Sequence, residues 1–134
     1  RIVLCSGKIY YELLEERRRR GIDHVALVRV EQLYPWPRQA VLEQIAGYAQ
    51  AEVLWCQEEP ANMGAWTFVL PRLINLLEEL ERTPVVPTYV GRAASASVAT
   101  GSHKKHEEEQ ARVVDQALTV ERRALPQPFR RIQR

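Results

Sequence analysis

Residues 53–66, VLWCQEEPANMGAW, decide the fold class of this chain. The stretch joins an apolar, strand-like run to the start of a long helix-like run, and the connection holds two acids, a proline, an amide and a glycine. A strand followed by a helix is the repeating unit of α/β folds. In open parallel sheets, ligands and partners gather at the carboxyl ends of the strands, which is where this connection falls. We therefore expect an α/β domain whose functional surface includes these polar residues.

Four strand-like runs alternate with four helix-like runs along the whole chain. The predicted strands cover residues 2–5, 24–30, 52–57 and 85–90, and the predicted helices cover residues 8–20, 37–48, 63–81 and 103–118. This order predicts right-handed crossovers and a mostly parallel sheet with helices on both faces.

Local sequence refines three of these elements. The run HVALVRV, residues 24–30, is almost continuously apolar, as expected for a strand that is covered on both faces. Pro84 and Pro87 place the fourth strand at a sheet edge. Pro71 lies in the middle of the third helix and predicts a kink there or a break into two shorter helices, because proline removes a backbone donor.

Length and composition favour one domain, predicted over residues 1–120, followed by a tail. The chain has 134 residues, of which 46% are hydrophobic, and its formal net charge is only +2, so no global field selects an anionic partner. Arg1 stands one residue before a strand, an abrupt start that favours a piece of a longer protein. Residues 91–102 predict a small polar loop with a helix cap at Ser102. The arginine-rich tail, residues 121–134, is predicted to be extended or disordered.

Cysteine usage and hydropathy bear on the compartment. Cys5 and Cys56 each end an apolar run, where a reduced and buried thiol is the usual state, and this favours an intracellular setting. No apolar run approaches the length of a membrane span, and no signal peptide is recognised, so we expect no membrane partner.

Several functional classes are disfavoured by the motifs. Ser6-Gly7-Lys8 follows the first strand, where a turn with a solvated lysine is the favoured interpretation and a weak anion site is the alternative. No dinucleotide or P-loop fingerprint occurs. The arginines at 17–20 end a helix, where cations suit the helix dipole, so nucleic-acid binding is not expected from them. His103 and His106 lack the further ligands that a metal site needs, and we expect none. The tail remains an alternative site for an acidic partner.

Polar side chains converge at the carboxyl edge of the predicted sheet. Glu31 and Gln32 follow the second strand, and residues 57–62 follow the third, so both groups should lie beside Ser6 and Lys8. Paired carboxylates there could perform acid–base chemistry, but no nucleophile accompanies them in the linear pattern. Contact with a second domain, a twin subunit or an effector is the favoured role. Trp36 and Trp66 suit burial at such an interface, with packing inside the domain as an equal alternative.

Five ordered blocks also carry a family resemblance. They are IVLCSGKIYY at 2–11, VRVEQLYPWP at 28–37, WCQEEPANMGAW at 55–66, YVGR at 89–92 and SASVATGSHKKH at 95–106. Together they resemble the C-terminal end of the decarboxylase component of the 2-oxoglutarate dehydrogenase complex, over residues 1 to about 118. The tail departs from that pattern.

The resemblance implies a fold and an activity for the parent enzyme. The fold would be the three-layer α/β/α arrangement of the transketolase C-terminal domain, with a mainly parallel sheet of about five strands and one antiparallel edge strand. Such enzymes are dimers that use thiamine diphosphate and magnesium to decarboxylate 2-oxoglutarate. They pass the succinyl group to a lipoyl carrier on a partner succinyltransferase. The compartment would be the bacterial cytoplasm, or the mitochondrial matrix in a eukaryote.

The resemblance also implies that catalysis lies elsewhere. Cofactor and catalytic residues belong to preceding domains, so no catalytic, cofactor-binding or metal-binding residue is expected in this chain. Its expected role is to pack against those domains and support the dimer, with an acyl-CoA effector site (acetyl-CoA for instance) as the alternative. The candidate interface or effector residues are Ser6, Lys8, Arg29, Glu31, Gln32, Gln57, Glu58, Glu59, Asn62, Gly64 and Trp66.

Overall fold

Alternating strands and helices fold into one parallel sheet between two helical layers. The computed structural model describes residues 1–97 and 101–120. The elements are β1 (Ile2–Cys5), α1 (Ile9–Arg19), β2 (Ala26–Arg29), α2 (Arg38–Ala46), β3 (Val53–Pro60), α3 (Trp66–Glu79), β4 (Thr88–Arg92) and α4 (His103–Leu118). The tail at 121–134 lies outside the described residues, so its structure and the boundary before it stay predictions.

The strand order β2-β1-β3-β4 determines where the helices lie. All three strand pairings are parallel, with Ile2 level with both Ala26 and Val53. The chain steps from β1 outward to β2, and then crosses back past β1 to β3. Because right-handed crossovers in opposite directions fall on opposite faces, α1 covers one face and α2 and α3 cover the other.

Each face of the sheet has its own apolar core. On one face, Val3, Cys5 and Cys56 pack against α1 and α4. On the other face, Leu4 and Trp55 pack against α2 and α3. The predicted α/β class with helices on both faces is therefore confirmed. Among the described residues, no helix is both long and apolar enough to cross a membrane.

The sheet differs in detail from the one that the resemblance implied. It has four strands in residues 1–97 and 101–120, and no antiparallel strand occurs there. After β4 the chain enters a loop and then α4, which packs on the face that α1 covers. The last described element is thus a helix in the same layer as α1, where the resemblance implied an antiparallel edge strand.

Both outer strands also correct the sequence-based expectations. The second strand is shorter than residues 24–30 and lies at an edge, where all four of its residues keep some exposure, so it is not covered on both faces. The edge position expected for the fourth strand is confirmed, although that strand begins at Thr88 and ends at Arg92.

The third strand runs beyond its predicted end at residue 57. It continues to Pro60, which pairs with Arg92 after an irregularity in register that follows Cys56. The two acids of the predicted turn therefore lie on the last part of a strand, and the turn itself comes after Pro60.

The third helix is a single element. It begins at Trp66, later than predicted, and Pro71 lies inside it without dividing it into two helices. Val69, Leu73, Leu76 and Leu77 are all buried on one side of this helix. Burial of that apolar stripe stabilises the helix through the position where proline removes one hydrogen bond.

Candidate functional site

The carboxyl ends of β1 and β3 form the topological switch point of the sheet. The two strands are neighbours, but the helices that follow them, α1 and α3, lie on opposite faces. In doubly wound folds this is where a crevice opens for a ligand. Several of the polar residues that were predicted to converge at this edge, Lys8 and Glu58 among them, meet at that point.

Four side chains from α1, β3 and α4 bind to one another at the switch point. Lys8 Nζ lies 3.2 Å from Glu58 Oε1 and also pairs with Glu12, one turn further along the same helix. Gln110 of α4 is buried, and its Nε2 donates to Glu12 Oε2 at 2.8 Å and to Glu58 Oε1 at 2.9 Å. We call Lys8, Glu12, Glu58 and Gln110 the switch-point cluster.

Ionisation in this cluster follows from its pairing. Burial raises the pKa of Glu12, but hydrogen bonds from Lys8 and Gln110 outweigh burial and leave that pKa below its ordinary value. Hydrogen bonds to Glu12 and Glu58 raise the pKa of Lys8. The Glu12 carboxylate is thus held in its charged form by its neighbours, whereas a general acid that works near neutral pH needs a raised pKa.

A second group fills the start of α1. Gly7 adopts a φ of 79°, and its N–H donates to Glu31 Oε1 at 3.1 Å. Arg29 Nε donates to the same oxygen at 3.1 Å. The bond from Gly7 lowers the pKa of Glu31, and a hydrogen bond from Ser6 contributes to the same effect. The Gly7 N–H, which the alternative anion site at Ser6-Gly7-Lys8 would use, is therefore occupied by the chain's own carboxylate.

Arg29 is also held by two aromatic rings. Its guanidinium carbon lies 4.7 Å from the ring centre of Tyr10 and 5.2 Å from that of Tyr11. The Arg29 side chain remains 40% exposed, and its two terminal nitrogens have no hydrogen bond within residues 1–97 and 101–120. Arg29 is thus fixed in place with its outer donors directed to solvent.

Gln57 has a structural role that the sequence did not reveal. It is only 3% exposed, and its Oε1 accepts from Trp55 Nε1 at 3.0 Å and from the Trp66 backbone N–H at 2.9 Å. Its Nε2 donates to the carbonyls of Pro60, at 3.1 Å, and Met63, at 2.8 Å. This one amide therefore fixes the whole connection from β3 to α3.

Asn62 joins that connection to the loop after β4. Its Nδ2 donates to the Ser95 carbonyl at 2.9 Å, and its Oδ1 accepts from the Ser95 N–H at 3.0 Å. Nearby, Gly64 has a φ of 65°, and a Cβ there would lie 3.0 Å from Glu59 Oε2. The positive φ favours glycine at this position.

The YVGR block completes the same region. The Tyr89 hydroxyl donates to the Arg92 carbonyl at 2.8 Å, and its ring lies 5.1 Å from that of Trp66. A Cβ on Gly91 would lie 2.6 Å from Tyr89 Cζ, so the folded-back ring needs a glycine beneath it. Trp66 therefore packs largely within the domain.

Two of the predicted residues do not join these groups. Gln32 is exposed, and its amide donates to the Pro35 carbonyl in its own loop at 3.2 Å. Glu59 is exposed, and its carboxylate has no hydrogen bond or ion pair with another described residue.

Some polar residues of this edge were not among the candidates predicted from the sequence. Arg92 is 8% exposed, its Nη2 lies 2.7 Å from His106 Nδ1, and its Nε lies 3.3 Å from Glu109 Oε2. Because arginine only donates, His106 accepts this hydrogen bond through an unprotonated Nδ1. The i, i+4 spacing of Glu12 from Lys8 could have indicated their pairing from the sequence. No local pattern indicates the role of Gln110, because its partners lie 98 and 52 residues away.

Exposed aromatic side chains mark the outer rim of the same edge. Tyr34 is 84% exposed and Tyr11 is 57% exposed. Trp36 is half-buried and meets Phe68 edge to face at a centroid distance of 6.5 Å. Large aromatic surface of this kind is typical of contact with another protein surface.

The opposite edge of the sheet carries a groove of about 840 Å³, lined in part by Arg1, Glu52 and Arg82. Arg1 is paired with Glu52 at 2.8 Å. Arg82 Nη2 donates to the carbonyl of Ile45 in the last turn of α2 and to that of Tyr48 just after the helix, both at 2.7 Å. The groove lies at the amino edge of the sheet, away from the switch point, and Arg82 in its lining caps the end of a helix.

The residues at the carboxyl edge do not fit a diphosphate cofactor with its magnesium ion. The N–H of Gly7 and the ammonium of Lys8 are bound to carboxylates of this chain. No group of three or more metal-binding side chains occurs among residues 1–97 and 101–120. We therefore assign no catalytic step at this edge to such a cofactor.

Comparison with known proteins supports one family. The family described as "2-oxoglutarate dehydrogenase C-terminal" matches residues 1–118. Proteins named "2-oxoglutarate dehydrogenase E1 component" from Brucella anthropi, Brucella ovis and Brucella canis are each 50% identical over 118 residues. That alignment covers 88% of this chain and 12% of each relative, so the chain spans about an eighth of their length. The chain belongs to the 2-oxoglutarate dehydrogenase C-terminal family.

Proposed function

We propose that this chain serves as the C-terminal domain of a thiamine-diphosphate-dependent 2-oxoglutarate dehydrogenase. In that enzyme 2-oxoglutarate is oxidatively decarboxylated, and the succinyl group passes to the lipoyl carrier of a succinyltransferase. The domain itself is non-catalytic and supplies surface to the preceding domains and to the dimer.

One observation carries the non-catalytic role. Glu58 is held by Lys8 and Gln110, and Glu31 is held by Gly7 and Arg29. A catalytic acid or base must exchange its proton with a substrate, which these paired side chains are not free to do. The larger part of each relative lies outside the aligned region, and we assign the cofactor and the chemistry to that part.

The packing role is supported by the exposed side chains at the carboxyl edge of the sheet. Tyr34 and Tyr11 are exposed and Trp36 is half-buried, while the carboxylate of Glu59 has no partner in the described part of the chain. Aromatic side chains beside a few charges are the composition of an interface that excludes water at its centre.

The test uses the complete parent polypeptide. Glu58→Gln and Glu59→Gln should each leave the kcat for 2-oxoglutarate decarboxylation within about threefold, since loss of a general acid or base costs roughly 100-fold or more. Glu108→Gln is the matched control, because Glu108 is exposed and lies on α4. A 100-fold loss in the Glu58 or Glu59 variant, with the fold intact, contradicts the proposal.

A regulatory acyl-CoA-binding role is the second candidate, and Arg29 favours it. Its guanidinium is positioned by Tyr10 and Glu31, and its outer donors are open to an anionic group. Calorimetry of the parent polypeptide with acetyl-CoA should show binding that Arg29→Ala weakens at least about tenfold, roughly 1.4 kcal/mol. Arg18→Ala is the control at an exposed arginine. Absence of binding by the intact parent removes this candidate.

A further inference from the structure

The groove of about 840 Å³ at the amino edge of the sheet lies at the point where the chain leaves α4. Asp115 and Gln116 in the last turn of that helix, and Thr119 just after it, belong to the lining of the groove. Arg1 Nη1 donates to the carbonyls of Gln116 and Thr119, at 2.8 and 3.0 Å, and so fixes the path of the chain there. The segment that follows Val120 therefore starts at the border of the groove.

Apolar surface is exposed in and beside this groove. Val86 belongs to the lining and is 54% exposed, and Ala49 and Pro84 of the lining are exposed as well. Val120, the residue after Thr119, is 37% exposed. Covering such side chains removes apolar area from water and is favourable. The groove thus offers an apolar surface to a segment that lies in it.

Acidic side chains of the groove are open to a cationic ligand. Glu81 is exposed, and its carboxylate has no hydrogen bond or ion pair within residues 1–97 and 101–120. The Asp115 side chain is 56% exposed, and its contacts within the same ranges are made by Oδ1, which leaves Oδ2 open. In contrast, Arg1 and Arg82 are bound to acceptors of this chain. The charge that the groove offers to a ligand is therefore negative.

The sequence that follows Val120 has the complementary chemistry. Residues 121–134 are ERRALPQPFRRIQR, in which arginine pairs at 122–123 and 130–131 flank a mostly apolar stretch at 124–129. Five arginines and one glutamate give these side chains a formal charge of +4. Pro126 and Pro128 disfavour helix in the residues before them, which suits a chain that runs along a groove.

We propose that residues 121–134 bind in this groove, with the stretch 124–129 against Val86 and with the arginines beside Glu81 and Asp115. Residues 121–134 lie outside the described residues, and the proposal rests on the exit point of the chain, the exposed apolar surface and the charges of the groove. The chain's own groove is then the acidic partner that remained open for the tail.

Reach and tethering both favour this occupant. An extended chain covers roughly 3.3 Å per residue, so the 14 residues after Val120 span up to about 46 Å. That length exceeds the diameter of a small domain, which is about 30 Å. A segment tethered at the border of its site also has an effective concentration on the order of millimolar, so weak contacts are enough to hold it there.

The test measures how fast trypsin cleaves the tail of the 134-residue chain after its arginines. An N-acetylated peptide of residues 119–134 is the reference for a tail that is not bound. Cleavage of the tail in the chain should be at least about tenfold slower than cleavage of the peptide, because the protease acts on the released fraction. Equal cleavage rates for the chain and the peptide overturn the proposal.

Substitutions in the groove test where the tail binds and leave its cleavage sites unchanged. Glu81→Arg and Val86→Arg should each raise the cleavage rate of the tail at least about threefold, through repulsion of the arginines and loss of apolar contact. Glu108→Arg is the matched control, because Glu108 is exposed on α4 and does not line the groove. Protection that persists in both groove variants overturns the site.

Protein concentration distinguishes the chain's own tail from that of a second copy. Protection that is constant with dilution supports the proposal, whereas protection that grows with concentration means that a second copy supplies the tail, and this contradicts it. The comparison with the peptide needs no substitution, so it remains decisive if a groove variant fails to fold.

A nitroxide label gives a second measurement without a change in the groove. Attached to Gln133→Cys, the label should broaden the amide signals of residues 49–52 and 84–88 by NMR and leave those of residues 29–32 at the carboxyl edge sharp. Cys5 and Cys56 are buried and do not compete for the label. No broadening at the groove, or equal broadening at both edges, overturns the proposal.

Discussion

Gln57 Oε1 accepts a hydrogen bond from the backbone N–H of Trp66 at 2.9 Å, nine residues further along the chain. The bond ties the last part of β3 to the first residue of α3. The same side chain holds the carbonyls of Pro60 and Met63, so the turn between them is fixed by one buried amide. The geometry of the acidic edge therefore depends on a residue that faces inward.

Gln57→Ala should lower the free energy of unfolding by about 3 kcal/mol, because a buried indole N–H and several backbone groups lose their partners. Urea unfolding followed by fluorescence measures the change. Gln32→Ala is the matched control, since Gln32 is exposed and makes one hydrogen bond to its own loop, and it should stay within about 0.5 kcal/mol of the unsubstituted chain. Equal effects of the two substitutions would contradict the structural role of Gln57.

Gln57 also explains why the sequence misplaced the end of β3. The polar and charged residues after Cys56 predict that the strand ends at residue 57. In the structure, the buried amide of Gln57 and the pairing of Pro60 with Arg92 keep the chain extended to Pro60. In contrast, α4 begins at His103 and ends at Leu118 as predicted. The small polar residues before α4 give a clear local start signal in the sequence.

Glu31 should contribute stability that depends on pH. The N–H of Gly7 donates to its carboxylate and lowers the pKa of Glu31, and hydrogen bonding to Arg29 acts in the same direction against a burial effect that raises it. A lowered native pKa means that the contribution is fully present above the ordinary glutamate pKa of about 4.3 and is lost as the pH falls through the native value. Glu31→Gln should therefore be less stable than the unsubstituted chain at pH 7, and this difference should vanish in acid.

Thermal unfolding from pH 7 down to pH 3 checks this dependence. Glu108→Gln is the control, because Glu108 is an exposed glutamate on α4. Its Tm should follow the unsubstituted chain across the range. A Glu31→Gln curve that runs parallel to the unsubstituted one down to pH 3 would show that Gly7 does not hold the carboxylate.

The switch-point cluster should depend more on its buried amide than on its cation. Gln110→Ala removes the donor shared by Glu12 and Glu58 in a buried position and should cost about 2 kcal/mol. Lys8→Ala should cost about 0.5 kcal/mol, because the Lys8 side chain is 66% exposed and its ion pairs are screened by water. Denaturant unfolding of both variants in low and high salt compares them. A larger loss for Lys8→Ala would reverse this ranking.

The switch-point cluster shows where prediction from sequence ends. Parallel strands bring their carboxyl ends together, so the meeting of Lys8 with Glu58 followed from the element order. The amide donor shared by Glu12 and Glu58 did not follow from it, because Gln110 lies on the last helix and its position depends on how α4 packs across the sheet. Local pattern thus located the edge, and tertiary packing decided how the carboxylates of Glu12 and Glu58 are bound.

Gly91 and Tyr89 should show energetic coupling. Gly91→Ala places a Cβ 2.6 Å from Tyr89 Cζ and 3.0 Å from the Gln57 carbonyl oxygen. The Tyr89 ring cannot move away freely, since its hydroxyl is bonded to the carbonyls of Arg92 and Glu59 at 2.8 and 3.2 Å. Gly91→Ala should therefore cost about 2–3 kcal/mol, as overpacking does in other cores. Gly101→Ala, at a glycine with no atom near the new Cβ, should be close to neutral.

A double-mutant cycle with Tyr89→Ala isolates the clash between the two residues. Removing the Tyr89 ring gives the new methyl group space. The double variant should therefore lose about 1 kcal/mol less unfolding free energy than the two single variants lose together. Part of the cost should remain, because the Gln57 carbonyl still crowds the methyl group. Strict additivity in urea unfolding would mean that the ring does not limit residue 91, and the glycine of the YVGR block would then need another explanation.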